Sequence, residues 1–95
     1  MARQVTKEQY AGIKALIESG LIKTFNQIFD TTGIKRTNFA KDMGMNYQTF
    51  TYRLSHPASF TFRESFIIAN LIGIEKQEVS KLIIAQSDSH AKKKA

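Results

Sequence analysis

The chain has 95 residues, which is the size of one domain with a modest core, and its hydrophobic fraction of 42% excludes wholesale disorder. It contains no cysteine, which excludes disulfides, thiol catalysis and thiolate metal sites. The formal net charge of +6 fits a polyanionic partner and fits equally a basic surface that only keeps the protein soluble.

The N-terminal third of the chain predicts two helices. Thr6 and Gln9 have the spacing of a capping box, and an apolar stripe of period 3.6 follows at Tyr10, Ile13, Leu16 and Ile17. Ser19 and Gly20 are expected to end this helix. The second helix is predicted to begin directly after Gly20 and to end at Gly33, with one apolar face formed by Leu21, Phe25, Ile28 and Phe29.

The middle of the chain predicts two short helices joined by a tight turn. The first runs from about Arg36 to Met43, and Gly44 then supplies a left-handed turn residue. Asn46 is a favourable N-cap for a second helix over 47–55. Pro57 stops that helix and favours an extended conformation at His56.

The last third predicts two further helices. Thr61 and Glu64 form a second capping box that starts the fifth helix, and Gly73 ends it. The sixth is expected over about 76–85, and residues 86–95 lack periodicity and are predicted to be a disordered basic tail. No alternating segment with a hairpin turn is found, so the expected fold is all-α. All seven phenylalanines are assigned to the core: Phe25, Phe29, Phe39, Phe50, Phe60, Phe62 and Phe66.

Positive charge is concentrated in the central helix pair and at the C-terminus. Residues 33–63 hold five basic and one acidic side chain, a net +4, whereas residues 64–91 hold two basic and four acidic ones, a net −2. Lys92, Lys93 and Lys94 add +3. This distribution is typical of a polyanion binder, and a basic surface that only maintains solubility is the alternative.

The segment 33–54 followed by 60–83 resembles the phage Cro/repressor-type helix-turn-helix domains, also called the XRE family. The resemblance covers residues 21–85 and rests on Ala40, Gly44, Phe50 and the A-x-x-I-G-I pattern at 69–74. It implies a five-to-six-helix, lambda-repressor-like domain at 21–85 with an extra N-terminal helix at 1–20. Arg53 and His56 depart from the family pattern, where an apolar residue and a glycine are frequent.

A helical wheel of residues 47–55 gives a separate estimate of the DNA-facing side. Phe50 and Leu54 define the buried side, Gln48 and Tyr52 lie opposite, and the shoulders hold Thr49, Thr51 and Ser55. The resemblance selects Tyr47, Gln48 and Tyr52 as base readers. Two of these agree with the wheel, whereas Tyr47 lies nearer the core direction, in the first turn of the helix. The predicted base contacts are therefore Tyr47, Gln48, Thr51 and Tyr52.

The predicted phosphate contacts surround this face. The resemblance places a phosphate clamp at Arg36, and the further candidates are Lys35, Lys41, Asn46, Thr49, Arg53 and Ser55. The polar residues of the wheel could instead be ordinary surface residues, and Tyr52 could pack on a neighbouring helix. Arg63 could be only a solvated first-turn residue, and Lys92 to Lys94 only a solubilising tail.

The sequence predicts a binding protein and no enzyme. His56 and His90 are far apart, no metal-ligand spacing or phosphate-cradling glycine loop is found, and no cofactor is expected. The expected function is sequence-specific binding of double-stranded DNA by a cytoplasmic transcriptional repressor, with no secretory signal or membrane helix. An antitoxin-like adaptor for a protein partner and a non-specific architectural DNA-binding protein are the alternatives.

A homodimer on an inverted repeat is also expected, because one recognition helix reads only a few base pairs. Two surfaces are candidates for the dimer contact. One is the extra N-terminal helix, and the other is the C-terminal helix with Val79, Leu82, Ile83 and Ile84.

Overall fold

The order of the helices follows the order predicted from the sequence. A computed structural model describes the backbone of residues 4–94 and the side chains of residues 4–88. Within that part the chain is all-α: α1 (Lys7–Glu18), α2 (Phe25–Thr32), α3 (Arg36–Asp42), α4 (Tyr47–Ser55), α5 (Phe62–Ile72) and α6 (Lys76–Lys94). A single 3-10 turn, Pro57–Ser59, connects α4 to α5. The predicted all-α class is confirmed.

Local capping chemistry sets most of the helix boundaries. The Thr6 and Thr61 hydroxyls accept the N–H groups of Gln9 and Glu64 at 3.1 Å each, which confirms both predicted capping boxes. At the other end, α2 and α5 finish at Gly33 and Gly73, as predicted.

The core is a cluster of phenylalanine rings contributed by successive helices. Phe25, Phe39 and Phe50 are fully buried, and Phe39 stacks on Phe50 with ring centroids 5.7 Å apart. Phe25 meets Phe39 edge-on at 5.9 Å. Ile13 of α1 is also fully buried, so the N-terminal helix packs into the same core as the rest of the chain.

A polar contact fastens the segment before α1 to the end of α3. The Asp42 carboxylate accepts the N–H groups of Gln4 and Val5 at 2.7 and 3.0 Å and the Tyr10 hydroxyl at 2.6 Å. Hydrogen bonds to a charged acceptor are stronger than neutral ones. The N-terminal segment is therefore held directly against the central helix pair.

The second helix begins later than the apolar pattern suggested. Residues 21–24 precede α2, and Leu21 is 67% exposed while Ile22 is buried in its place. The Gln27 side-chain oxygen accepts the N–H groups of Lys23 and Thr24 at 2.6 and 3.2 Å, which fixes the helix start at Phe25. The prediction that Leu21 lies on the buried face of a helix is wrong.

The assignment of every phenylalanine to the core is also wrong for two of them. Phe62 is 85% exposed and Phe66 is 46% exposed. They lie one turn apart on one side of α5, whereas Ile68 and Ile72 are buried in the core. Phe60 is half-buried and stacks on Phe25 at 5.4 Å.

The last helix continues to Lys94 instead of ending near Ala85. Gln86, placed in the tail by its polarity, is buried and bonded to two other helices. The side chains of Lys92 to Lys94, and all of Ala95, lie outside the described residues. No helix in the described part of the chain is long and apolar enough to cross a membrane.

Candidate nucleic-acid interface

Residues 36–55 form a helix, a tight turn and a second helix. Gly44 has φ 74°, the left-handed conformation that the predicted turn requires. The Met45 N–H donates to the Ala40 carbonyl at 3.0 Å, which closes α3. The Asn46 side chain then accepts the Thr49 N–H at 2.8 Å and caps α4, as predicted.

One side of α4 is anchored in the core. Phe50 and Leu54 are both buried, which confirms the side of the helix that the wheel assigned to packing. The carbonyl of Leu54 accepts the Gln86 side-chain amide at 2.6 Å, which ties the end of α4 to α6. The position of α4 is therefore set by contacts at its middle and at its C-terminal end.

All four predicted base readers on α4 are exposed, and Gln48 and Tyr52 lie opposite the buried side of the helix. Tyr47 and Tyr52 are 47% and 52% exposed, and Gln48 and Thr51 are exposed as well. Ser55 continues the exposed side to the end of the helix, whereas Thr49 is half-buried on the shoulder. The four side chains supply amide, hydroxyl and methyl groups, which are the groups that read base edges in the major groove.

An aromatic pair at the end of α4 was not predicted. The rings of Tyr52 and His56 stack with centroids 4.2 Å apart and an interplanar angle of 17°. His56 Nδ1 lies 3.1 Å from the Tyr52 carbonyl oxygen. The four-residue spacing on a helix was the available signal, since residues i and i+4 are neighbours on one face. The predicted extended conformation of His56 is replaced by φ −129° and ψ 71°.

Two of the predicted phosphate contacts lie next to Tyr47. Lys35 and Arg36 line the same surface depression as Tyr47 at the start of α3. Arg36 lies over the Phe29 ring at 4.9 Å, and one guanidinium nitrogen is 3.6 Å from an Asp30 carboxylate oxygen. Thr37, exposed in the first turn of α3, lines the same depression and was missed by the sequence analysis.

Arg53 has a different environment from the other cationic candidates. Its Nε donates to both carboxylate oxygens of Glu64 at 3.1 and 3.3 Å, and both side chains are mostly buried. The same Glu64 accepts the Thr61 N–H at 2.9 Å. Arg53 therefore joins α4 to the capped start of α5, a role that was not predicted for this residue.

The remaining candidates lie at the ends of the two helices. Lys41 is exposed in the last turn of α3, and Asn46 is exposed between α3 and α4.

Within the described residues, no group of three or more histidine, aspartate or glutamate side chains is arranged to hold a metal ion. No family model, no curated protein and no solved structure matches the chain.

Proposed function

We propose that the protein is a cytoplasmic, sequence-specific regulator that binds double-stranded DNA with α4 in the major groove. One observation carries the proposal. α4 is anchored by buried Phe50 and Leu54, and its opposite side presents Gln48 and Tyr52 to solvent. Tyr47 in the first turn and Thr51 on the shoulder are exposed as well. A helix held rigidly on one side and exposed on the other is what insertion into the major groove requires.

The exposed side chains have the chemistry for reading bases. The Gln48 amide can bond adenine bidentately through N6 and N7, and the Thr51 methyl can contact the methyl group of thymine. The Tyr52 ring, already stacked on His56, presents an aromatic edge beside them. These contacts would distinguish sequences, whereas contacts to phosphate would set affinity and register.

The candidates for phosphate contact lie at the two ends of α3. Lys35 and Arg36 lie beside Tyr47 at the helix start, and Lys41 is exposed at the end of α3. They are three of the five basic side chains that give residues 33–63 a net charge of +4, and positive charge of this kind neutralises the phosphates of a DNA backbone. A protein bound in this way blocks polymerase at its operator, and we therefore propose that it is a repressor. We also propose that it acts as a homodimer, because one recognition helix reads only a few base pairs.

The proposal is tested by selection from a pool of randomised duplex DNA at about physiological ionic strength. Sequencing of the retained DNA is expected to show an inverted repeat, with half-site centres about one helical turn apart. Retention without enrichment would overturn the proposal in favour of an architectural protein, which has steep salt dependence and no preferred site. No retention would overturn it in favour of a protein partner, tested by mixing with the product of an adjacent toxin gene.

A further inference from the structure

An apolar surface lies on the side of α5 and α6 that faces solvent. Phe62 is 85% exposed and Ile84 is 60% exposed, and both line one depression of about 390 Å³. We call this depression the α5–α6 groove; it is also lined by Pro57, Ala58, Ser80 and Ile83. Phe66, 46% exposed, extends the apolar surface along α5.

Val79 and Leu82 are buried in the core, so they cannot form the dimer contact expected of the C-terminal helix.

The two exposed aromatic side chains have the area of an interface centre, not of a whole interface. At about 200 Å² for a fully exposed aromatic side chain, Phe62 and Phe66 together present on the order of 250 Å². A stable interface buries about 800 Å² per partner, with aromatic side chains concentrated at its centre. The two rings supply about a third of that area at the apolar centre of an interface, and the surfaces that flank the groove are needed for the rest.

The charge pattern favours a second copy of this chain as the occupant. Each copy carries a net +6, so two copies repel wherever their basic faces meet. Lys76 is the single charged residue among those lining the groove and its extension along α5, and its ammonium lies over the Phe66 ring at 5.1 Å. This low-charge face is where two such molecules can approach each other.

The shape of the surface suits a two-fold contact. Phe62 projects from the first turn of α5 immediately beside the groove that it lines. A projection and a depression on one patch are self-complementary under a two-fold axis, because each copy offers both elements to the other.

The position of the groove also fits the spacing of DNA half-sites. Pro57 lines the groove and follows α4 by two residues, so Thr51 lies within about 13 Å of it along the chain. Half of a helix-packing distance adds about 5 Å. The centre of α4 therefore lies at most about 18 Å from such an axis, which allows the roughly 17 Å that half of a 34 Å repeat requires.

We propose that two copies of the protein associate about a two-fold axis at the α5–α6 groove, with Phe62 of each copy inserted into the groove of the other. The inference rests on the proposed DNA-binding function for its spacing argument, and on the exposed aromatic residues for the surface itself. In this arrangement both α4 helices lie on one side of the dimer, where each can enter one of two successive major grooves.

The test is sedimentation equilibrium of the wild type, Phe62→Glu and Leu21→Glu. Leu21 is a matched control because it is an exposed leucine that does not line the groove. Phe62→Glu is expected to raise the dimer Kd by at least about 30-fold, since a central aromatic is lost twice in a symmetric interface. Leu21→Glu is expected to change it less than threefold, roughly the scatter for a residue outside the contact. Melting curves by circular dichroism check that all three proteins fold.

A second measurement uses the absence of native cysteine. Ser80→Cys in the groove should be linked between copies by a short thiol-reactive bifunctional reagent, and exposed Ser19→Cys at the end of α1 should not. Adding Phe62→Glu to Ser80→Cys should abolish the linkage.

The proposal is overturned if the wild type stays monomeric at about 100 µM, both free and on selected DNA, which would assign the surface to another protein. It is equally overturned if Phe62→Glu dimerises like the wild type. Because sedimentation of the free protein needs no DNA, a failed selection leaves a measured dimer intact. If the selection enriches an inverted repeat but Phe62→Glu dimerises like the wild type, the dimer surface proposed here is wrong and the proposed DNA-binding function stands.

Discussion

Gln48 tests base reading most directly because it is exposed on α4 and distant from the core. Gln48→Ala removes a bidentate contact that discriminates by roughly 1–3 kcal/mol, so preference at one position of each half-site should fall about 5- to 150-fold. Affinity for unrelated DNA should not change. The readout is competition binding with operators altered one base pair at a time, and a uniform loss over all positions would contradict direct reading by this residue.

Arg36 acts through charge if it contacts a phosphate. Arg36→Gln keeps a side-chain stem over Phe29 but removes the charge, so the slope of log K against log salt should become shallower by about one unit. The ion pair with Asp30 is exposed and contributes little to stability. Lys14→Gln, an exposed lysine on α1, is the control and should leave the slope unchanged. Equal slopes for both variants would show that Arg36 does not contact a phosphate.

At the scale of elements, the turn between α3 and α4 depends on one backbone conformation. Gly44→Ala forces a side chain into the left-handed region and should destabilise the fold by about 1–2 kcal/mol, although open space surrounds the position. Gly12, inside α1 with equally open surroundings, is the matched control. Gly12→Ala should stabilise by about 0.5–1 kcal/mol because alanine favours helix. Urea unfolding measures both changes, and a shared sign would contradict the backbone explanation.

The contact between Arg53 on α4 and Glu64 on α5 shows how a neighbouring helix fixes the position of α4. Arg53 is on the recognition helix, yet its guanidinium is held by Glu64 of the α5 capping box. Because Glu64 also accepts the Thr61 N–H, one carboxylate fixes both the start of α5 and the shoulder of α4. The orientation of the exposed face of α4 therefore depends on a residue from another helix.

For the whole molecule, Gln86 is the residue that joins distant elements. Its side chain donates to the Leu54 carbonyl near the end of α4 and accepts the Asn26 N–H near the start of α2, at 2.6 and 2.7 Å. Both partners are backbone groups of helix termini, which lack bonds within their own helices. One buried amide, that of Gln86, therefore supplies the missing hydrogen-bond partner at the ends of two helices.

Gln86→Ala should accordingly destabilise the fold by about 2 kcal/mol or more, since two buried backbone groups lose their partner. Gln48→Ala is the matched control, because the same substitution at an exposed position should change stability by less than about 0.5 kcal/mol. Thermal unfolding compares the two variants, with about 4–8 °C expected per kcal/mol in a domain of this size. A similar melting temperature for both would show that the buried bridge contributes nothing.

The sequence by itself determined the helix order, the N-cap residues Thr6, Asn46 and Thr61, the glycine turn and the exposed side of α4. These features are encoded within a few residues of one another, in capping spacings and in the period of apolar positions. The start of α2, the exposure of Phe62 and Phe66 and the extent of α6 were decided only by tertiary structure. Which aromatic side chains are buried, and whether polar Gln86 lies inside, depends on helices distant in the chain, and no local period records that packing.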